Sequence, residues 1–254
     1  AMSDWSSDVC SSDLYEQIPE LPFCNIWTAM QLSSRLPKGA LFHMGVSNTR
    51  RCWNMFQLPE SVESACNVGC CGIDGCVSTL VGASLVNPDR LCYVVVGDLT
   101  FFYDLNSLGN HHIGTNLRVM LVNNGRGTEF RLGIHHCNVF GDDADKYMAA
   151  AGHFGNKSPL LVKHYAEDLG FHYLSATTKE EFMTALSNFT NPQLSDHSMI
   201  LEVFTDSKDE SEALYLMSHI QSDAKGMVRS KLKDAVRNVA GEKGINAIKK
   251  ILKK

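Results

Sequence analysis

The sequence predicts an α/β fold in which a mostly parallel, twisted sheet is covered by helices on both faces. Three observations carry this. Apolar runs without polar alternation recur at residues 91–96, 117–122 and 199–204; segments of helical period lie between them; and cap and turn residues mark the junctions. Strands that are apolar on both sides belong to parallel sheets buried under helices, and strands alternating with helices give such a sheet.

Taken in order, residues 26–36 have helical spacing, 40–44 form a short apolar strand, 74–85 are helical and 91–96 a buried strand. Residues 101–108 read as a short helix, 117–122 as a strand, 159–169 as a helix and 171–174 as a strand. Pro159 suits a first helical turn and Gly170 a C-terminal cap. Thr178 with Glu181 makes a capping box for a helix running to Phe189, and the strand 199–204 follows. In such sheets ligands bind beyond the carboxyl ends of the strands, so chemistry is expected just after Val96 and Val122.

The chain has 254 residues, 44% hydrophobic and 20% charged, with a formal net charge of -5. These values fit one globular domain with extensions, and no basic excess points to nucleic acid. No apolar stretch reaches membrane-spanning length and no secretory leader is visible, so a cytoplasmic protein is expected. The nine cysteines are scattered without paired C-x-x-C elements, which predicts reduced, mostly buried thiols. Residues 1–14 include DWSSDVCSSDL, which resembles a translated adapter sequence and reads as a non-native segment, with the biological protein extending further upstream. Residues 15–222 are the expected domain. Residues 223–254 form a basic tail, of which 224–254 carry a charge of about +8 by count; its apolar residues, such as Val228, Leu232 and Val236, recur at helical spacing, which predicts basic amphipathic helices packed on the protein.

Gly97-Asp98-Leu99-Thr100 follows one buried strand and Asn123-Asn124-Gly125 follows the next. A carboxylate and an amide oxygen at adjacent strand tips can share one hard cation, while small neighbours let backbone N–H groups approach a diphosphate. Mg²⁺ would take the Asp98 carboxylate, the Asn124 side-chain oxygen and the Arg126 backbone carbonyl. Two phosphate oxygens and a water would complete its octahedron.

With these residues in view, the chain resembles the thiamine diphosphate-dependent enzymes, whose signature is G-D-G followed some two dozen residues later by N-N. Leu99 stands in the third position here, and with GDLTFFYDLNSL the pattern is similar to the SEPHCHC synthase family of menaquinone synthesis. GALFHMGVSNTRR, CCGIDGCVSTLVGAS, LVNNGRGTEF and MILEVFTDSKDE find counterparts in order, over residues 23–212. The resemblance implies a Rossmann-like diphosphate-binding domain. Ile73 would wedge between the cofactor's two rings, the Cys71 carbonyl would hold its 4'-amino group, and Thr100 would add a hydroxyl to its diphosphate; Gly72, Gly97, Asp98, Leu99, Asn124, Arg126 and Gly127 complete the implied cofactor-binding set. It also implies that a 2-keto acid loses CO₂ and that the remaining fragment joins an acceptor. The activating glutamate would come from a pyrimidine-binding domain or subunit with no match in this chain, so that the chain alone is inactive and the intact protein a homo-oligomer. A simple decarboxylase of the phosphonopyruvate or sulfopyruvate type, and a non-catalytic cofactor-binding fragment, are the alternatives.

Ser47 and Arg51 match the family's substrate-contacting positions, with Glu129 and Phe130 on the same wall. Two departures stand out: Val68 replaces an arginine and Glu129 an apolar residue. One cation fewer and one anion more should disfavour a dicarboxylate and suit a neutral or sugar-like acceptor. Asp74 suits a helix N-cap. His111, His112, His135 and His136 all read as loop residues; of the four, His135 and His136, which follow the N-N loop, are the pair favoured to line the pocket.

Overall fold

The structure is a computed structural model that describes residues 18–69, 72–133 and 135–220. The N-terminal segment, Cys71 and the basic tail therefore lie outside the described residues. Helix α1 (Asn25–Leu32) begins where the Cys24 sulfur accepts from the Trp27 N–H at 3.5 Å. Then come β1 (Leu41–Met44), α2 (Asn48–Trp53), β2 (Glu63–Cys66), α3 (Cys76–Val86), β3 (Cys92–Gly97), α4 (Asp98–Tyr103) and β4 (Leu117–Asn123). The second half holds α5 (Asp142–Tyr147), α6 (Phe154–Lys157), α7 (Leu161–Asp168), β5 (His172–Ala176), α8 (Lys179–Phe189), β6 (Met199–Phe204) and α9 (Ser207–Ser218).

Among the described residues the six strands are all parallel, in the order β2-β1-β3-β4-β6-β5. The apolar runs conceal a period of two. Tyr93 and Val95 of β3 pack into one core with Trp53, Phe182 and Phe189. Cys92, Val94 and Val96 pack into the other with Leu80, Phe101 and Val162. Successive side chains of a strand point to opposite faces, so a strand covered on both sides must be apolar throughout. The Tyr93 hydroxyl reaches the Phe189 carbonyl at 3.0 Å, which satisfies its polar end inside the core.

The expected capping signals are present with changes of detail. The Thr178 hydroxyl accepts from the Glu181 N–H at 3.2 Å, while the Glu181 carboxylate takes the Thr177 N–H at 2.7 Å, one residue earlier than a reciprocal box requires. Gly170, at φ +80°, closes α7, and the Phe171 N–H reaches back to the Ala166 carbonyl at 2.9 Å. Pro159 lies in the turn before α7, which begins two residues later at Leu161. The helix expected at 101–108 is two pieces, α4 starting at Asp98 and a 3₁₀ turn over Leu105–Gly109. Asp74 does not cap α3: Gly75 takes that position in the left-handed region. The Asp104 carboxylate instead accepts from the Ser78 N–H at 2.6 Å, satisfying the first turn from another segment.

Candidate active site

From β1 the chain steps out to the edge strand β2 and then crosses back to β3 on the other side of β1, so the strand order reverses between β1 and β3. A cavity of about 560 Å³ opens beyond the carboxyl ends of β1, β3 and β4, where ligands of open α/β sheets bind. Of the residues singled out on the sequence, Ser47, Gly72, Ile73, Gly97, Asp98, Leu99, Thr100, Asn124, Arg126, Gly127, Glu129 and Phe130 all line it. Arg51 is not part of the lining but touches it through Glu129.

At the inner end, Asp98 is 2% exposed. Its Oδ1 accepts from the Leu99 N–H at 2.8 Å, and its Oδ2 from the Gly125 N–H at 2.7 Å and lies 2.9 Å from His153 Nε2. His153 Nδ1 accepts from the Asn156 N–H at 3.2 Å, which places the ring proton on Nε2 and makes it the donor to Asp98. A carboxylate offers about four lone-pair sites. Three are filled, and the site left on Oδ1 is available to a cation.

The two asparagines that close β4 have different tasks. The Asn123 amide is buried and donates to Glu202 at 2.8 Å and to the Gly155 carbonyl at 3.2 Å. Asn124, the next residue, lines the cavity. Gly125 then turns at φ +81°. The Arg126 N–H points to Asn124 Oδ1 at 3.4 Å, and its guanidinium holds both Asp145 oxygens at 2.9 Å. The Arg126 carbonyl accepts from the Thr128 N–H at 2.9 Å, leaving one lone pair for a ligand. A Cβ on Gly127 would meet Leu99 Cδ1 and Phe130 Cδ2, each at 3.1 Å, so the backbone runs as close to the cavity wall as a glycine permits.

At the outer end, Ser47 sits at φ +63°, ψ -124°, a conformation that side-chain-bearing residues rarely adopt. Such backbone is held by its surroundings and concentrates at functional sites. Asn25 and Asn48 form the neighbouring wall, and a fully buried carboxyl stands behind them. Glu210 Oε1 accepts from the Asn25 N–H at 3.0 Å and the Thr205 hydroxyl at 2.7 Å, while the Asn25 amide oxygen takes the Trp53 indole N–H at 3.0 Å. Burial pushes the Glu210 carboxyl up to about 7, against the opposing pull of these donors. Burial likewise raises Glu202, which the Tyr173 hydroxyl reaches at 2.7 Å.

Of the histidine expectations, the one that favoured His135 and His136 for the pocket wall is corrected. Neither His135 nor His136 lines the cavity; His135 Nδ1 accepts from the Cys137 N–H at 3.1 Å and caps a 3₁₀ turn, with its ring edge-on to Phe130 at 5.3 Å. The adjacent rings of His111 and His112 lie 3.8 Å apart on an exposed loop. The histidine at the site is His153, which sequence reasoning passed over because a lone histidine in a glycine-rich stretch carries no spacing signal. Asn25, Glu210 and Asp145 were missed for the same reason: each is brought in from a distant segment.

No family model matches the chain. Curated proteins do. The 2-succinyl-5-enolpyruvyl-6-hydroxy-3-cyclohexene-1-carboxylate synthase of Bacteroides fragilis is 34% identical over 196 residues, 77% of this chain and 34% of that protein. The synthase of the same name from Phocaeicola vulgatus is 34% identical over 200 residues, 78% of this chain and 34% of that protein. That of Christiangramia forsetii is 33% identical over 199 residues, 78% and 33% respectively. The chain thus spans about a third of the length of the curated relatives it matches. Over most of its own length, the chain is a homologue of the SEPHCHC synthases that its motifs resemble.

Proposed function

We propose that the chain is the diphosphate-binding part of a thiamine diphosphate- and Mg²⁺-dependent carboligase acting on a 2-keto acid. The observation that carries the reading is the meeting of Asp98, Asn124 and Ile73 on one cavity at the carboxyl ends of β3 and β4. The donor set fits the group. Asp98 Oδ1, the Asn124 side-chain oxygen and the Arg126 carbonyl are hard oxygen ligands of the kind Mg²⁺ takes, with phosphate oxygens completing the shell. Gly97, Thr100 and Gly127 border the space beside them, and Ile73 supplies an apolar support for a bent cofactor.

Thiamine diphosphate, when bound, supplies an electron sink for carbanion chemistry. Overall, the C1–C2 bond of the keto acid breaks with loss of CO₂. The electron pair left at C2 forms a bond to the acceptor's electrophilic carbon, and a proton enters with it. This chain's share is to bind and orient. His153 and the Gly125 and Leu99 N–H groups fix the Asp98 carboxylate before any cation arrives, so little reorganisation is needed. The proton relay at the cofactor belongs to a glutamate on a pyrimidine-binding domain or partner subunit, which makes a homo-oligomer with sites at subunit boundaries the expected assembly.

Calorimetry of thiamine diphosphate with Mg²⁺ tests the reading. The chain should show a saturable, Mg²⁺-dependent heat, weakened by at least about tenfold in Asp98→Ala, since even outer-shell partners of a metal site contribute that much. Equal binding by both proteins would overturn it.

A further inference from the structure

The outer end of the cavity carries an arrangement that cofactor binding does not use. Arg51 Nη2 lies 2.8 Å from Glu129 Oε1, and the two side chains are 38% and 17% exposed. Arg126, the one cationic side chain among the described residues lining the cavity, is held by both oxygens of Asp145. Both arginines at this wall are therefore matched by carboxylates of the same chain, while Asp74, Asp98 and Glu129 line the cavity as acids. Glu129 Oε2 is in addition buried without a hydrogen-bond partner among the described residues.

These facts set what can dock there. A substrate carboxylate that takes Arg51 Nη2 must compete with Glu129, whose carboxylate already lies 2.8 Å from it in a part-buried pair and repels a second anion. A hydroxyl brings no charge and can donate to the Glu129 carboxylate where its side chain, 17% exposed, borders the cavity. An ammonium group would add a third charge to a pair that is already neutral. The strained Ser47, at the base of α2 on the same wall, offers a second hydroxyl to such a ligand.

We infer that Glu129 is a specificity-determining residue that closes the outer end of the cavity to carboxylates and admits a neutral, hydroxyl-bearing acceptor of the hydroxyaldehyde class. The inference rests on the carboligase reading for the word acceptor, but its test needs no cofactor.

Succinate and glycolaldehyde serve as probes, titrated separately into the 254-residue chain and followed by NMR of the arginine side-chain N–H signals. Succinate should bind Glu129→Gln at least about tenfold tighter than the unaltered chain, as expected when a competing charge of like sign is removed. That gain should vanish when Arg51→Ala is added. Glycolaldehyde should lose affinity in Glu129→Gln, and Glu129→Asp, which keeps the charge, should still exclude succinate. Succinate binding the unaltered chain as tightly as Glu129→Gln, or glycolaldehyde indifferent to the substitution, would overturn the inference. Absence of thiamine diphosphate binding in the calorimetric test would instead strike the carboligase reading and leave the selection at Glu129 standing.

Discussion

Replacing Glu210 by glutamine isolates the buried carboxyl behind the cavity wall. In the folded chain this group titrates at about 7, against 4.5 as its ordinary value. Between those two pH values the folded state holds a proton that the unfolded state has released, so stability falls as pH rises through this window and is flat above it. The difference of about 2.5 pH units corresponds to about 3 kcal/mol at 1.36 kcal/mol per unit. Glutamine keeps an oxygen for the Asn25 N–H and the Thr205 hydroxyl and does not titrate. Urea denaturation of both proteins at pH 4.5, 6 and 7.5 reads the effect. The stability of the unaltered chain minus that of Glu210→Gln should drop by about 3 kcal/mol from the first pH to the last, most of it before pH 7. The groups that face Glu210 do not confuse the result: burial holds the Cys24 thiol up to about 12 and the Cys52 thiol well above its ordinary value, and Asp98 is present in both proteins. A difference that stays flat with pH would refute the reasoning. It would mean that Oε2, which lacks a hydrogen bond of good geometry although the Asn48 amide lies near enough to favour its charge, is better solvated than its burial implies.

Two other substitutions test the supports of the inner site. A Cβ on Gly155 would fall 2.0 Å from two ring carbons of Phe102, which packs edge-on against His153 at 5.5 Å; Gly155→Ala should destabilise the chain by about 1–3 kcal/mol through overpacking and weaken Mg²⁺-dependent cofactor binding in calorimetry. Tyr173→Phe removes the donor to Glu202 Oε2 and leaves that buried oxygen bare, so urea denaturation should show a loss of about 1–3 kcal/mol, whereas an unchanged midpoint would mean that water takes over the hydroxyl's role.

Legibility in the sequence followed the reach of the interactions involved. The strands β3, β4 and β6 were visible because burial on both faces forces unbroken apolar runs, and Asp98 and Asn124 were visible because a strand tip and the residue after it share one short segment. The edge strand β2, with the sequence ESAC, was not visible: its first three residues are exposed and it has a neighbour on one side only, so nothing in the pattern distinguishes it from a loop. Helix α2 is six residues long and carries two arginines. Helix α9 opens on SKDES, which reads as a solvated surface, yet Ser207 and Glu210 are buried. Their burial is decided by partners far along the chain, for Glu210 by an N–H 185 residues away. The mistaken histidine pair has the same origin: His135 and His136 were favoured for standing near the N-N loop in sequence, whereas His153 stands near it in space.

That division explains how the cavity keeps its shape. Its walls come from the start of α1 and the loops after β1, β2, β3 and β4, and several of these segments are tied to buried polar groups behind them. Asn25 is fastened to Glu210, Thr128 to the Ser207 hydroxyl at 3.2 Å, and Asn123 to Glu202. All three anchors stand on β6 and α9, the last elements described, so the end of the domain braces a site that the earlier strands present. The arrangement concentrates negative charge: the Asp98 carboxylate contributes to raising both Glu202 and Glu210. Buried acids that repel one another are costly without a counter-charge, and a divalent cation at Asp98 would relieve all three at once. The same carboxyls that make the free domain less stable at neutral pH would then give a cation its advantage there.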